Sequence, residues 1–497
     1  MTFTDDRTRW LALYTLCAAS LMIVLDATIV NVALPSIRDD LGFNESSLAW
    51  VVNAYTLTFG GLLLLGGRLG DLYGPRRLFL FGIALFTLAS LLCGLSTSQG
   101  MLVTARAVQG VGGAVASAVS LSLMLALFTE PADRAKAMGL FGFVASGGGS
   151  IGVVLGGVLT DTINWHWIFL VNLPIGIAVV FLTFRLIPGT EGSAAQGRSL
   201  DIGGAITVTG ALMVAVYAIV NGNAAGWTSG STLGRFAVAL ALFAAFLVIE
   251  THVSSPLMPL GLFRRRNLST ANVVGVLWAG SMFAWFFLSA LYLQLVLGYS
   301  PLKVGLGFLP GNLVMGFLSI AVSAKLVLRY GVRIPLAAGL VAAGLGLLLF
   351  ARAPVDGSYI VDVLPGMILL GLGAGIAFNP VLFAAMSEVK PEESGLASGI
   401  VNTAFMMGGA LGLAVLASIA ASRTSQLESA GHSTTSALTG GYHVAFVVGA
   451  LFALAAAAIG AALLRTHMAP VHTPEPALAL ALAEGDQPPR RAAYCVS

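Results

Sequence analysis

Asp26 lies nine residues before Pro35, inside the apolar run Leu25-Asp26-Ala27-Thr28-Ile29-Val30-Asn31-Val32-Ala33-Leu34-Pro35. A carboxylate in hydrocarbon costs roughly 2.5–3.5 kcal/mol on an insertion scale, so such a residue is usually kept for a task. It can carry a proton, contact a solute or pair with a buried cation. Arg106 supplies the cation, about six residues into the fourth apolar run. At the helical rise, Asp26 sits about 13 Å and Arg106 about 9 Å from the same membrane face. They therefore share a leaflet, and the reach of arginine allows a direct or water-mediated pair. A neighbouring cation and the loss of water act on a carboxyl group in opposite directions. A group balanced between them can gain and lose a proton, which is the chemistry of proton carriage. A static structural ion pair is the bland reading of the same two residues.

The elements that hold these residues follow from composition. Of 497 residues, 57% are hydrophobic and only 9% charged, against roughly 25% charged in soluble domains. Mean hydropathy is +0.91. The chain is therefore expected to be an all-α polytopic membrane protein. A spanning helix needs about 20 apolar residues. About fourteen such runs centre near Leu21, Leu57, Leu85, Val115, Ser150, Ile177, Gly210, Leu242, Met282, Met315, Ala342, Leu370, Met407 and Leu454. The pair near Gly210 and Leu242 is separated by a Gly/Ser/Asn-rich turn, Asn221 to Ser231. With the N-terminus in the cytoplasm, about 19 Lys and Arg fall at inner ends and loops against about 5 outside, as the positive-inside rule requires. An even number of spans puts the C-terminus inside too. The stretch from about His472 to Ser497 reads as a disordered tail. The first apolar run is too long for a signal-peptide core and should remain as a helix.

Several chemistries are excluded. No Gly-x-x-x-x-Gly-Lys-Ser/Thr loop is present, so ATP-driven pumping by this chain is not expected. The six histidines lie at helix ends, in loops or in the tail, with no pair at helical spacing in mid-membrane, which argues against haem. No Cys/His cluster suggests a metal site. Cys17, Cys93 and Cys495 show no paired spacing. The net charge of +3 forms no basic stripe, so no nucleic-acid partner is expected.

Glycine is the second signal, at 60 residues. In the fifth run, Gly148, Gly152 and Gly156 recur every fourth residue and Gly157 follows, making a smooth face that lets helices approach closely and slide. Gly110, Ala114 and Ala118 repeat the spacing in the fourth run. The second run ends in Gly67-Arg68-Leu69-Gly70-Asp71-Leu72-Tyr73-Gly74-Pro75-Arg76-Arg77, and the tenth in Ala324-Lys325-Leu326-Val327-Leu328-Arg329-Tyr330-Gly331-Val332-Arg333. Internal repeats of this kind build many secondary transporters. The phasing gives a first six-helix bundle over 1–190, an inserted pair over 191–260, a second six-helix bundle over 261–467 and a tail over 468–497.

These motifs, in this order and spacing, resemble the fourteen-helix drug:proton antiporter family (EmrB/QacA type) of the major facilitator superfamily. The resemblance covers roughly Trp10 to Arg465. It is carried by Leu25 to Pro35, by Gly67 to Arg77, by Arg106-Ala107-Val108-Gln109-Gly110-Val111-Gly112-Gly113-Ala114, by Gly148 to Gly157, and by Trp165-His166-Trp167-Ile168-Phe169-Leu170-Val171-Asn172-Leu173-Pro174. It implies the major facilitator fold, with proton or substrate coupling at Asp26 assisted by Arg106. It also implies an inner latch at Gly67, Asp71, Gly74, Arg76 and Arg77, and a flexible antiporter helix at Gly148, Gly152, Gly156 and Gly157. Val153 stands where that motif usually has Pro, and His166 where Arg is usual; the copy near Arg329 lacks the Asp.

Polar candidates for a central cavity are Asn31, Asn53, Tyr55, Gln109, Asn172, Gln294, Asn312, Asn379 and Asn402, with Phe59, Trp285, Phe286, Phe378 and Phe405 as an adaptable apolar wall. Asp26 is the single acid placed deep in the bilayer, which favours neutral, monocationic or zwitterionic amphiphiles over dications. The expected activity is export of drugs or antibiotics across a bacterial plasma membrane, exchanged for protons by alternating access, with no cofactor. Export of one endogenous metabolite for self-resistance is the alternative, followed by nutrient import and by a membrane sensor. Oligomeric state is not legible.

Overall fold

Hydrocarbon offers no water to backbone groups, so each apolar run must close its hydrogen bonds internally as a helix. The computed structural model describes residues 6–128, 130–187, 201–253, 256–389 and 394–465. The first part of the chain forms α1 (Asp6–Leu41), the short α2 (Glu45–Leu48), α3 (Trp50–Tyr73), α4 (Pro75–Gly94), α5 (Gln99–Leu127), α6 (Pro131–Thr162), the short α7 (Trp167–Leu170) and α8 (Asn172–Leu186). A hairpin follows, α9 (Ile202–Ala225) and α10 (Gly230–His252). The rest forms α11 (Arg266–Leu291), α12 (Pro301–Phe317), α13 (Ala324–Tyr330), α14 (Arg333–Phe350), α15 (Leu364–Met386), α16 (Ser394–Ser429) and α17 (Thr434–Leu463). Among the described residues 13 helical stretches are long and apolar enough to cross a membrane. The 32-residue α6 joins them in the place of the expected fifth run, giving 13 + 1 long helices. No strand occurs among the described residues. The expected tail, and the boundary near 190, lie outside them.

Local chemistry sets the helix ends. The Ser98 hydroxyl accepts from Met101 N at 3.3 Å and starts α5, and the Asp201 carboxylate accepts from Gly204 N at 2.7 Å and starts α9. Pro75, Pro131 and Pro301 occupy first helical positions, where a missing N–H costs nothing. The two basic turns of the internal repeat share a backbone device. Gly74 between α3 and α4 has φ 90°, and Gly331 between α13 and α14 has φ 72°, a conformation open to glycine and strained for other residues.

The α9–α10 turn is tighter than the sequence suggested. Asn221, Gly222 and Asn223 stay helical, and only 226–229 turn. Asn223 explains the extra length: its amide donates to Ser418 O on α16 at 2.7 Å and its oxygen accepts from Trp227 Nε1 at 2.9 Å.

In the first part, α5 packs against α3 and α4, and α1 against α6 and α8. In the last part, α11 packs against α16 and α17, and α14 against α15 and α17. Two seams join these groups, α6 on α12 and α3 on α16, and α9 lies against both helices of the second seam. Near Pro301 the first seam is backbone-close. A carbon added at Gly157 would lie 2.7 Å from Pro301 O, and one at Gly305 would lie 2.8 Å from Val153 O. Gln294 pins the same end by donating to Val32 O at 2.9 Å. Three stretches of the last part, Tyr292–Val296, Leu318–Ser323 and Tyr359–Val363, widen to π geometry, a feature often found at functional sites.

Candidate functional site

Glycine brings the helices of the site together. Gly82 on α4 and Gly112 on α5 let the two backbones touch, since a carbon added at Gly82 would lie 2.8 Å from Gly112 O. Gly148, Gly152 and Gly156 form the α6 face that lies on α1. Carbons added there would come within 3.0 Å of the Leu21 and Val24 side chains, 3.0 Å of Leu25 O and 2.5 Å of Ile29 O. These contacts flank Asp26. Gly157 turns the other way, to α12. With Val153 in place of a proline, α6 runs unbroken from Pro131 to Thr162.

Asp26 and Arg106 form the expected pair, and it is direct. Arg106 Nη1 donates to Asp26 Oδ2 at 2.5 Å, and both side chains are 0% exposed. Asp26 Oδ1 accepts from Gln109 Nε2 at 2.7 Å and from Asn172 Nδ2 at 2.9 Å. Both amides also donate to the Ser90 hydroxyl, at 3.1 and 2.9 Å, and Ser90 donates to Phe169 O at 2.9 Å. Arg106 Nη1 donates as well to Gln109 Oε1 at 2.8 Å, and Nε to Val51 O at 3.0 Å. The Cys93 thiol completes the shell, 3.6 Å from Gln109 Oε1. Six elements converge on one carboxylate: α1, α3, α4, α5, α7 and α8. A buried ion pair is tolerable when such additional hydrogen bonds satisfy its remaining groups.

Arg106 also lies over the rings of Tyr55 and Phe169, at 4.4 and 5.5 Å from their centroids. Its Nη2 is buried without a partner.

A cavity of about 400 Å³ lies beside this network, bounded by both parts of the chain. Asn31, Tyr55 and Asn312 line it, together with Phe59, Phe286, Phe378 and Phe405, as the sequence suggested. The other polar candidates lie elsewhere. Gln109 and Asn172 hold Asp26, Gln294 pins α1, and Asn379 donates to Ser319 O at 2.8 Å. Asn402 lines a separate small gap beside Trp278, and Asn53 is buried on α3 with both amide atoms unpartnered. Trp285 is buried against Phe286, 4.4 Å between ring centroids, behind the wall. Among the described residues the cavity wall includes Arg106 but not Asp26, and no acid.

Sequence reasoning did not single out Ser90 or Phe169 as partners of the pair. Nor did it single out Thr28, Thr56, Trp278, Met282, Phe283, Met315, Ser319 or Met406 in the wall. The methionines carried a usable signal, because flexible thioethers suit an adaptable binding surface.

At the turn after α3, Arg76 donates to Phe184 O at 3.0 Å and lies over the Phe184 ring. Arg77 is exposed, and an added carbon at Gly67 would meet nothing within 4 Å. The Asp71 side chain lies outside the described residues. This bond from Arg76 to Phe184 lies within the first part of the chain. His166, in the place of the usual Arg, stacks on Trp165 at 3.8 Å. No group of three or more potential metal ligands occurs among the described residues.

Residues 16–413 match the family model of the Major Facilitator Superfamily. The chain belongs to this superfamily. The facilitator match makes it a multi-pass membrane transporter, not an enzyme. Relatives cover most of its length. It is 38% identical to a puromycin resistance protein of Streptomyces alboniger over 90% of each chain. It is 39% identical to a cephamycin export protein of Amycolatopsis lactamdurans, over 90% of this chain and 91% of that one. It is 38% identical to the multidrug resistance protein Stp of Mycobacterium tuberculosis, over 84% and 76%. The facilitator fold also appears in a solved bacterial homologue of the lysosomal transporter Spinster, inward-facing and occupied. That structure has TM-score 0.65 and 14% identity, over 92% of this chain and 97% of that one.

Proposed function

We propose that this transporter exports amphiphilic drugs or antibiotics from a bacterial cell in exchange for protons, by alternating access, and so confers resistance. The observation that carries the reading is a sealed Asp26–Arg106 pair bordering an aromatic cavity between two helix groups. Asp26 takes and releases the proton; Arg106, Gln109, Asn172 and Ser90 hold it in place between exchanges. Resistance and export relatives at 38–39% identity support the direction of transport. The proton gradient is the only drive this reading requires, with no cofactor.

In this reading both termini are cytoplasmic, so the end held shut by Gly157, Gly305 and Gln294 is the outer one. The inner turn with Gly67, Asp71, Gly74, Arg76 and Arg77 is the latch that engages when the outer end opens. Gly148, Gly152 and Gly156 let α6 slide on α1 beside the proton site. A wall whose described residues hold seven aromatic rings, three methionines and no acid suits neutral, monocationic or zwitterionic amphiphiles better than dications. A second reading, export of one endogenous antibiotic, is favoured by relatives named for a single compound each, puromycin and cephamycin.

The test uses inverted vesicles with an inside-acid gradient and a pH-sensitive dye. Adding antibiotics and dyes one by one should release protons from wild type and not from Asp26→Asn. Proton release that survives in Asp26→Asn removes Asp26 from the path. Solute transport without proton movement removes the antiport reading.

A further inference from the structure

Asp26 is sealed from the cavity, and Tyr55 is part of the seal. Arg106 belongs to the cavity wall yet is 0% exposed, and the Tyr55 ring, itself in the wall, lies 4.4 Å from the guanidinium. Tyr55 stacks in turn on Phe59, 5.7 Å between centroids. Arg106 Nη2, on the same guanidinium, is buried with no acceptor. An unpaired buried donor is a costly group that water from the cavity would satisfy at once. Gly113 lets both rings lie against α5 in this shut position. A carbon added there would stand 3.3 Å from Tyr55 Oη and 3.2 Å from the Phe59 ring, tighter than ordinary contact.

We propose that Tyr55 is the gate between the cavity and the proton pair. With the ring in place, cavity water is kept from Asp26 and Arg106. With the ring swung off the guanidinium and away from Gly113, water reaches Nη2 and the carboxylate, and the proton exchanges. A solute packed against Tyr55 and Phe59 holds the ring shut; an empty cavity releases it. Solute and proton then exclude each other sterically, and the solute never touches Asp26. The inference rests on the antiport reading and deepens it. Tyr55 is a positioning residue, acting through access to Asp26.

The experiment measures proton leak without solute, in vesicles holding an imposed pH gradient. Removing the ring removes both the lid and a cation–π contact, so Tyr55→Ala should leak on the order of tenfold faster than wild type. Tyr55→Phe keeps the ring and should stay tight. Tyr55→Ala combined with Asp26→Asn should seal again, because the leak runs through Asp26. Gly113→Ala should raise the leak without solute, to a smaller extent than Tyr55→Ala, by crowding the ring out of its shut position. A tight Tyr55→Ala overturns the gate, and so does a leak that persists without Asp26, since a packing hole would not need the carboxylate. Wild type without solute-driven proton release, beside an Asp26-dependent leak in Tyr55→Ala, keeps the gate and overturns antiport. If both are absent, both proposals fall.

Discussion

Gly82 and Gly112 meet backbone to backbone, so that a carbon added at Gly112 would stand 2.8 Å from Gly82 O. This crossing sets α4 against α5 and lets Ser90 reach Gln109 at 3.1 Å. Gly112→Ala should force the helices apart, costing about 1–3 kcal/mol as overpacking does. Thermal unfolding in detergent would report it as a lower midpoint. Gly100→Ala, also on α5, meets nothing within 4 Å and should leave the midpoint unchanged or raise it. Equal effects of the two would show that the crossing is not a close one.

Breaking the buried pair should be worse than removing it. Arg106→Ala strands the Asp26 carboxylate among Gln109, Asn172 and Ser90, a loss of about 3–5 kcal/mol for a buried pair deprived of one partner. Arg106→Ala with Asp26→Asn should recover part of that stability while staying inactive in proton exchange. A double mutant no more stable than Arg106→Ala would show that the pair is not coupled.

The Gly157–Pro301 contact predicts a conformational shift. Gly157→Val cannot keep 2.7 Å from Pro301 O, so the closed end should be disfavoured. Spin labels at Asn164 and Ser300, both exposed near that end, should show a longer distance population than in wild type. Transport should fall because the cycle is held on one side. An unchanged distance distribution would mean that the seam bends around the new side chain.

The wall predicts separable recognition. Phe378→Ala opens space next to Phe405, whose ring centroid lies 6.0 Å away. Its effect should fall on KM and on the relative rates among solutes, with the number of protons released per solute unchanged. A changed proton ratio would tie Phe378 to coupling.

The ion pair was legible because charge in an apolar run is conspicuous and helical rise fixes depth. Gln109 and Asn172 stand out as polar groups in apolar runs, and polarity alone points them at the cavity, whereas they bond Asp26. Depth follows from position in the run, but facing depends on helix rotation, and rotation is set by contacts such as Gly82 on Gly112. Ser90 escaped notice because a small hydroxyl in a helix usually bonds its own backbone; here it accepts from two amides instead. Asn and Gly favour turns locally and so predict a longer hairpin turn than the structure has, where the tertiary bond from Asn223 to Ser418 holds the helix together. The glycines of α6 were legible as a face; that Gly157 turns to a different partner came only with the packing.

The cavity wall has a lopsided authorship. Among the described residues, five of its seven aromatic rings, Trp278, Phe283, Phe286, Phe378 and Phe405, come from α11, α15 and α16, whereas Arg106, Gln109 and Asn172, which bond Asp26, come from α5 and α8. Under the proposed antiport, heritable change in the later helices can therefore retune what is recognised without disturbing how the proton is handled. Lineages that inherit this arrangement can diversify against new compounds while the engine stays constant.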